Sequence, residues 1–212
     1  MISAVPRHPV ATDKADEGLA ILQESLQKLI DGLEADSTDL GDAFQLALTL
    51  ARTRSVLDPR AAIFPSWDAW VTAMQLGSAA LAAATTTDTH VQCRIAHKDR
   101  TLRATGPQWY ITPASWINAH NLAVACRETD RIRAVCDVPV SLLREHGARF
   151  EGHHFAWVET LQAYWRGDRD LVPKLVRAVD ATDPQSVADP ETVSKPIYPP
   201  MELFHQKSGK RS

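Results

Sequence analysis

The chain has 212 residues, 44% hydrophobic and 23% charged, which suits one domain with a substantial core and excludes a disordered chain. Its formal charge of −3 argues against nucleic acid as the default partner, because phosphate binding needs a clustered basic excess. The first residues hold no signal-peptide core, the longest apolar tract (76–84) is about half a bilayer crossing, and three cysteines without a CxxC pair fit a cytoplasmic setting.

Residues 1–11 read as a flexible N-terminus, 12–206 as a single helical domain and 207–212 as a basic tail. Thr12 or Asp13 can cap a first helix, in which Leu19, Leu22, Leu26, Leu29, Ile30 and Leu33 share one stripe. The stretch "EADSTDLGD" breaks it. Ser37 or Thr38 then restarts a second helix through Phe44, Ala47, Leu48 and Ala51 to Leu57, where Asp58-Pro59 stops it. Two antiparallel helices with a short loop are the expected product.

Ser66, behind Pro65, can cap a third helix. At 100° per residue, Trp67, Trp70, Val71, Met74, Ser78 and Leu81 fall on one side, and Leu76, Ala79, Ala80 and Ala83 on the other. A helix apolar all round is interior, so both tryptophans are expected in the core. The competing reading has Trp67 or Trp70 lining an accessible groove. Over 89–104 the period changes: Val91, Cys93 and Ile95 alternate with His90, Gln92 and Arg94. This predicts a β-hairpin with "AHKDR" (96–100) as its loop and 101–104 as the returning strand.

Thr112-Pro113 opens the next helix, which carries Trp116, Ala119, His120, Ala123 and Cys126 to about residue 128. Short helices are expected at 130–136 and 140–146. A longer one spans 153–165 with Val158, Leu161 and Trp165 inward, and another follows with Pro173 in its first turn. Residues 183–200 read as loop, after which Pro199-Pro200 opens a last helix over "MELF". The fold class is therefore all-α: an array of antiparallel helical hairpins with one small β-hairpin.

Chemistry-bearing motifs are sparse. Among eight histidines there is no HExxH, and His153-His154 are adjacent, so on a helix they diverge by about 100°. His120 lies on the apolar side of its helix, where a core histidine is the commoner outcome than a metal ligand. Cys93 with His90 or His97 could in principle pair as nucleophile and base, though nearness in sequence is weak evidence, and Cys93 reads better as an inward strand residue. No GxSxG, phosphate loop or dinucleotide fingerprint occurs, so no catalytic residue, cofactor or metal is expected. Charge is uneven, however: nine acidic residues between 13 and 42 face two lysines. The bland reading is a solvated face. The functional one is a contact surface for a basic partner, formed by Asp31, Glu34, Asp36, Asp39 and Asp42. The hairpin carries the opposite sign through Arg94, Lys98, Arg100 and Arg103.

Four stretches resemble, in the same order, members of immunity protein family forty-nine from bacterial polymorphic toxin systems. They are "SWDAWVTAMQLGSAAL", "QCRIAHKDRTLRATGP", "WVETLQAYW" with "LVPKLVRAVDATDP", and "IYPPMELF". The resemblance spans roughly 17–204, and its motifs are tryptophans and turn signals rather than a catalytic signature. It implies a mostly helical cytoplasmic protein that binds and neutralises a cognate protein toxin, without enzymatic activity and without a nucleic-acid or membrane partner. The competing class is a helical enzyme or metal-binding protein built around His120, His153 and His154.

Overall fold

The computed structural model describes residues 12–35, 39–147 and 152–182. In chain order these form α1 (Thr12–Gly32), a 3-10 turn (Leu33–Ala35), α2 (Leu40–Leu57), α3 (Phe64–Thr85), β1 (His90–Ile95), β2 (Lys98–Arg103), α4 (Pro113–Ala125), α5 (Thr129–Cys136), α6 (Val140–His146), α7 (Gly152–Arg166) and α8 (Leu171–Asp180). The all-α class with one two-stranded antiparallel sheet stands as expected. Among the described residues no helix is long and apolar enough to cross a membrane. The loop expected at 183–200 and the helix expected over 201–204 lie outside the described residues, as do the N-terminal and basic-tail segments.

α1 buries Leu19, Leu26 and Ile30, and the turn after it buries Leu33, as the leucine spacing requires. α1 as described already includes Thr12 and Asp13. The cap of α2 is also displaced from the expected position, for Asp39 rather than Ser37 or Thr38 fills it. Its carboxylate accepts the N–H of Gly41 at 2.6 Å and of Asp42 at 3.2 Å, relieving two of the donors a helix start leaves open. Asp58 ends α2, and its carboxylate then accepts the Ile63 N–H at 3.1 Å, ahead of α3. One residue thus serves two helix ends, its backbone N–H donating to Arg54 O at the close of α2 and its carboxylate accepting ahead of α3, and Ser66, expected as the cap of α3, lies buried in its first turn instead.

α3 is the central element, packed against α2, α4, α5 and β1. Its small residues permit this. A Cβ built on Gly77 would meet the Phe44 ring of α2 at 2.7 Å and Ala119 of α4 at 3.1 Å, so the glycine sets how closely three helices approach. Gly77→Val should therefore destabilise by roughly 1–3 kcal/mol, the usual range for overpacking. Gly18 of α1 has nothing within 4 Å of a built Cβ, so Gly18→Ala should stabilise by about 0.5–1 kcal/mol through helix propensity. Urea midpoints moving in opposite directions are the expected result; two shifts of the same sign would refute the close-approach argument.

The tryptophan stripe is only partly interior. Met74 and Leu81 are buried, but Trp70 is half-buried and Trp67 remains 43% exposed. Trp70 Nε1 donates to Ser55 Oγ at 2.8 Å, which places it level with the last turn of α2. Trp67, one turn earlier, lies beyond the end of that helix and loses its cover. Core placement holds for the middle of α3 and fails at its start.

The hairpin pairs His90 with Arg103 through to Ile95 with Lys98. Its loop is Ala96 and His97 alone, with φ of 49° and 66°, so β2 begins at Lys98 and not at 101. Two positive φ values define a type I′ turn, whose twist matches the strands but which usually takes glycine or asparagine. Here α3 holds it: Ala96 N–H donates to Gln75 Oε1 at 2.9 Å, and His97 Nε2 lies 2.7 Å from Asp68 Oδ1.

Thr112 caps α4 as expected, accepting the Ser115 N–H at 3.1 Å, and Pro113 opens the helix. α4 stops at Ala125 rather than near 128, because Arg127 takes a left-handed conformation (φ 58°) that sends the Glu128 N–H back to Ala123 O at 3.0 Å. The ring nitrogen of Trp116 donates to Val135 O at 2.7 Å, joining α4 to α5. α7 contributes Gln162 and Arg166, which donate to Val138 O and Cys136 O at 2.8 and 2.6 Å. α8 lies against α7, and Trp157 Nε1 donates to Thr182 Oγ1 at 2.9 Å.

Candidate functional site

The acidic residues gather where α1 gives way to α2. Asp31 is exposed and accepts from Gln27 Nε2 at 2.8 Å. Glu34 follows on the 3-10 turn, anchored beneath by buried Leu33, and its carboxylate lies 3.6 Å from the buried Arg100 guanidinium of β2. Asp39 and Asp42 share the start of α2, both exposed. Asp36 lies outside the described residues. Two of the four described carboxylates therefore have structural work: Glu34 ties the turn to the hairpin, and Asp39 caps a helix.

Sequence reasoning missed the aromatic member of this surface. Trp109 is 51% exposed, and its ring N–H points at Asp39 Oδ2, 3.4 Å away. It meets Tyr110 edge-on, with ring centres 5.8 Å apart. Tyr110 is buried against the start of α2, where a Cβ on Gly41 would strike its ring. Burial, with the Asp39 charge adding, holds the Tyr110 hydroxyl above its ordinary pKa, and the hydroxyl lies 3.1 Å from Thr105 Oγ1. Tyr110 thus fixes a loop on which Trp109 stands out. A signal existed: "GPQWYITP" sets two aromatics between turn residues, and a loop aromatic has fewer neighbours to bury it. An exposed tryptophan rimmed by charge is the composition of a protein-binding hot spot.

His120, His153 and His154 do not form a metal-holding group. His120 is buried on α4, stacked on Trp116 at 5.2 Å, with Trp165 edge-on at 6.3 Å. His153 and His154 lie on α7, and their rings stand 4.0 Å apart despite the divergence of adjacent helical positions. Among the described residues no three His, Cys, Asp or Glu side chains come together to hold a metal ion. The thiols are not activated: burial raises Cys93, pushes Cys126 up to about 11 and Cys136 up to about 12. His90 also projects from the face of β1 opposite Cys93.

The family model described as Immunity protein 49 matches residues 58–206, more than half of the chain. The chain belongs to the Immunity protein 49 family. Neither the curated proteins nor the solved structures yield a match. The match starts at Asp58, the residue that closes α2, and not near residue 17, so it takes in α3 to α8 and runs past the described residues. The acidic junction lies on the N-terminal side of the Immunity protein 49 match, whereas Trp109 lies within it.

Proposed function

We propose that this Immunity protein 49 member is a cytoplasmic bacterial protein that neutralises a cognate polymorphic toxin by stoichiometric binding, without catalysis. Membership of the family carries the reading. The contact face is the α1–α2 junction, with Trp109 as aromatic anchor and Asp31, Glu34, Asp36, Asp39 and Asp42 as the acidic rim that draws a basic toxin surface. What supports this face is the exposed ring among carboxylates. Its position mostly outside the matched stretch suits a surface that must differ from one toxin to the next. Thiols whose pKa values burial raises, and the lack among the described residues of three side chains placed to hold a metal, give the enzyme and metal-binding alternative no support.

The test uses the toxic domain of the cognate toxin that this reading requires. Charge steering acts over about a Debye length, near 10 Å at 0.1 M salt, so it raises the on-rate more than it slows the off-rate. Replacing Asp36, Asp39 and Asp42 together by asparagine keeps size and much of the capping ability at 39. Association should slow and lose its salt dependence, with the fold intact by circular dichroism. Trp109→Ala should instead act on the off-rate and weaken binding about 30-fold, which corresponds to a 2 kcal/mol hot spot. Wild-type kinetics for both variants would move the contact elsewhere, with the basic hairpin at 94–103 the next candidate.

A further inference from the structure

The turn between α2 and α3 is an apolar end of the molecule. Phe64 is 69% exposed, and Val56, Leu57, Ile63 and Trp67 stand between 43% and 57% exposed. Pro59, Ala62 and Pro65 are exposed among them. Lone surface hydrophobics need no explanation, but five large ones between residues 56 and 67 make a cluster, and a cluster does.

This turn is firmly built. The Asp58 carboxylate accepts the Ile63 N–H at 3.1 Å and draws the Ala62 N–H as well, while the Ala61 N–H donates to Asp58 O at 3.0 Å. Ala61 takes a left-handed backbone (φ 47°), which alanine disfavours. Behind it, the bond from Trp70 Nε1 to Ser55 Oγ holds the two helices level. The apolar side chains therefore stand on a fixed backbone, which lowers the ordering cost of covering them.

Area and charge say what fits. Aromatic side chains present about 150–250 Å² each and aliphatic ones somewhat less, so these five at their exposures offer on the order of 500 Å². Two copies meeting here would cover about 1,000 Å² or more with the prolines and Ala62 included, which is the size a specific interface needs. Arg60 on the turn and Asp68 on α3 border the patch with opposite signs, and a two-fold contact sets the cation of one copy toward the anion of the other. A strongly basic or acidic partner finds no such match. An anionic membrane repels a chain of formal charge −3.

We propose that the α2–α3 turn is a homodimer interface, in which Val56, Leu57, Ile63, Phe64 and Trp67 meet the same residues of a second copy. α2 has 18 residues and so separates this turn from the acidic junction by about 27 Å. Dimerisation leaves the junction of each copy open, and the inference does not rest on the toxin-binding reading.

Sedimentation of the full chain without toxin tests this. An interface near the lower size limit belongs at the micromolar end of affinity, so monomer should pass to dimer between about 0.1 and 100 µM. Phe64→Glu should weaken the dimer about 30-fold, the effect of a hot spot, and keep a native circular dichroism spectrum, since an acid in the first helical turn suits the dipole. Arg60→Glu, a second variant that leaves every core side chain in place, should weaken it about tenfold. Val172→Glu, at a comparably exposed position on α8, should change nothing. The urea midpoint of the wild type should rise with protein concentration, and that of Phe64→Glu should not. A wild-type chain that stays monomeric throughout overturns the proposal. Binding of that monomer to phosphatidylglycerol vesicles would give the patch to a lipid surface, and toxin-induced loss of anilinonaphthalene sulfonate emission would give it to the toxin. A dimer that survives Phe64→Glu at wild-type strength also overturns it, by placing the interface elsewhere.

Discussion

Trp116→Ala should lower the unfolding free energy by about 3–5 kcal/mol, the range for truncating a fully buried tryptophan. The indole has no exposure, lies between α4 and α5 and stacks on His120. Removing it opens a cavity among helices that also carry the main core, and the close packing around Ala119 and Gly77 leaves little room to collapse. It also strips the Val135 carbonyl of its 2.7 Å indole donor and leaves it the longer bond from the Val138 N–H at 3.3 Å, a loss of about 0.5–1.5 kcal/mol for one hydrogen bond. Trp116→Phe separates the two contributions, since it keeps most of the volume and loses only the donor. Urea unfolding followed by far-UV circular dichroism measures both. A Trp116→Ala midpoint matching wild type would place the indole outside the cooperative core, while Trp67→Ala at the exposed start of α3 should cost far less.

Acidification should weaken the fold through His120 well before the carboxylates protonate. Burial holds its pKa down at about 4, against 6.5 for a free imidazole, and the Asn121 side chain at 3.2 Å opposes this only in part. Above pH 6.5 the ring is neutral in both states and contributes no pH dependence. As pH falls below 6.5, the unfolded chain takes up the proton that the folded chain refuses, so stability drops until the folded pKa is reached. The slope is at most about 1.4 kcal/mol per pH unit, and the loss over the window from 6.5 to 4 totals roughly 3 kcal/mol. Asp58 and Asp170, whose pKa values lie below their ordinary values, lose their contribution only below about pH 4. His120→Leu should therefore flatten the stability profile between pH 6.5 and 4 relative to wild type. Parallel profiles for the two proteins would remove His120 from the account.

Much of the fold was legible because helix stripes and punctuation agree along the chain. α6 occupies 140–146 as expected, Thr112-Pro113 caps and opens α4, and the alternation at Val91, Cys93 and Ile95 gives a strand. What escaped was decided by competition or by tertiary cover. Ser37, Thr38 and Asp39 are all competent caps, and spacing cannot rank three neighbours of similar chemistry. Periodicity placed Trp67 on the stripe of Met74, but whether α2 extends far enough to cover it depends on where α2 ends in space. The acidic run of the candidate surface was visible as charge. For Trp109 the stretch "GPQWYITP" signalled a loop aromatic but not which of the two stays exposed, since that follows from Tyr110 turning inward to meet Gly41, a contact between residues far apart in sequence.

The turn at Ala96 and His97 bears on how the molecule assembles. Neither residue favours a left-handed backbone, so the two strands lack the local encouragement that lets hairpins with asparagine and glycine zip up early. Their pairing depends on Gln75 and Asp68, which are in register only once α3 is formed and docked. Closure of the hairpin is therefore expected to follow the docking of α3, with low φ-values for substitutions in β1 and β2, so that this small sheet serves as a late-fastening clasp.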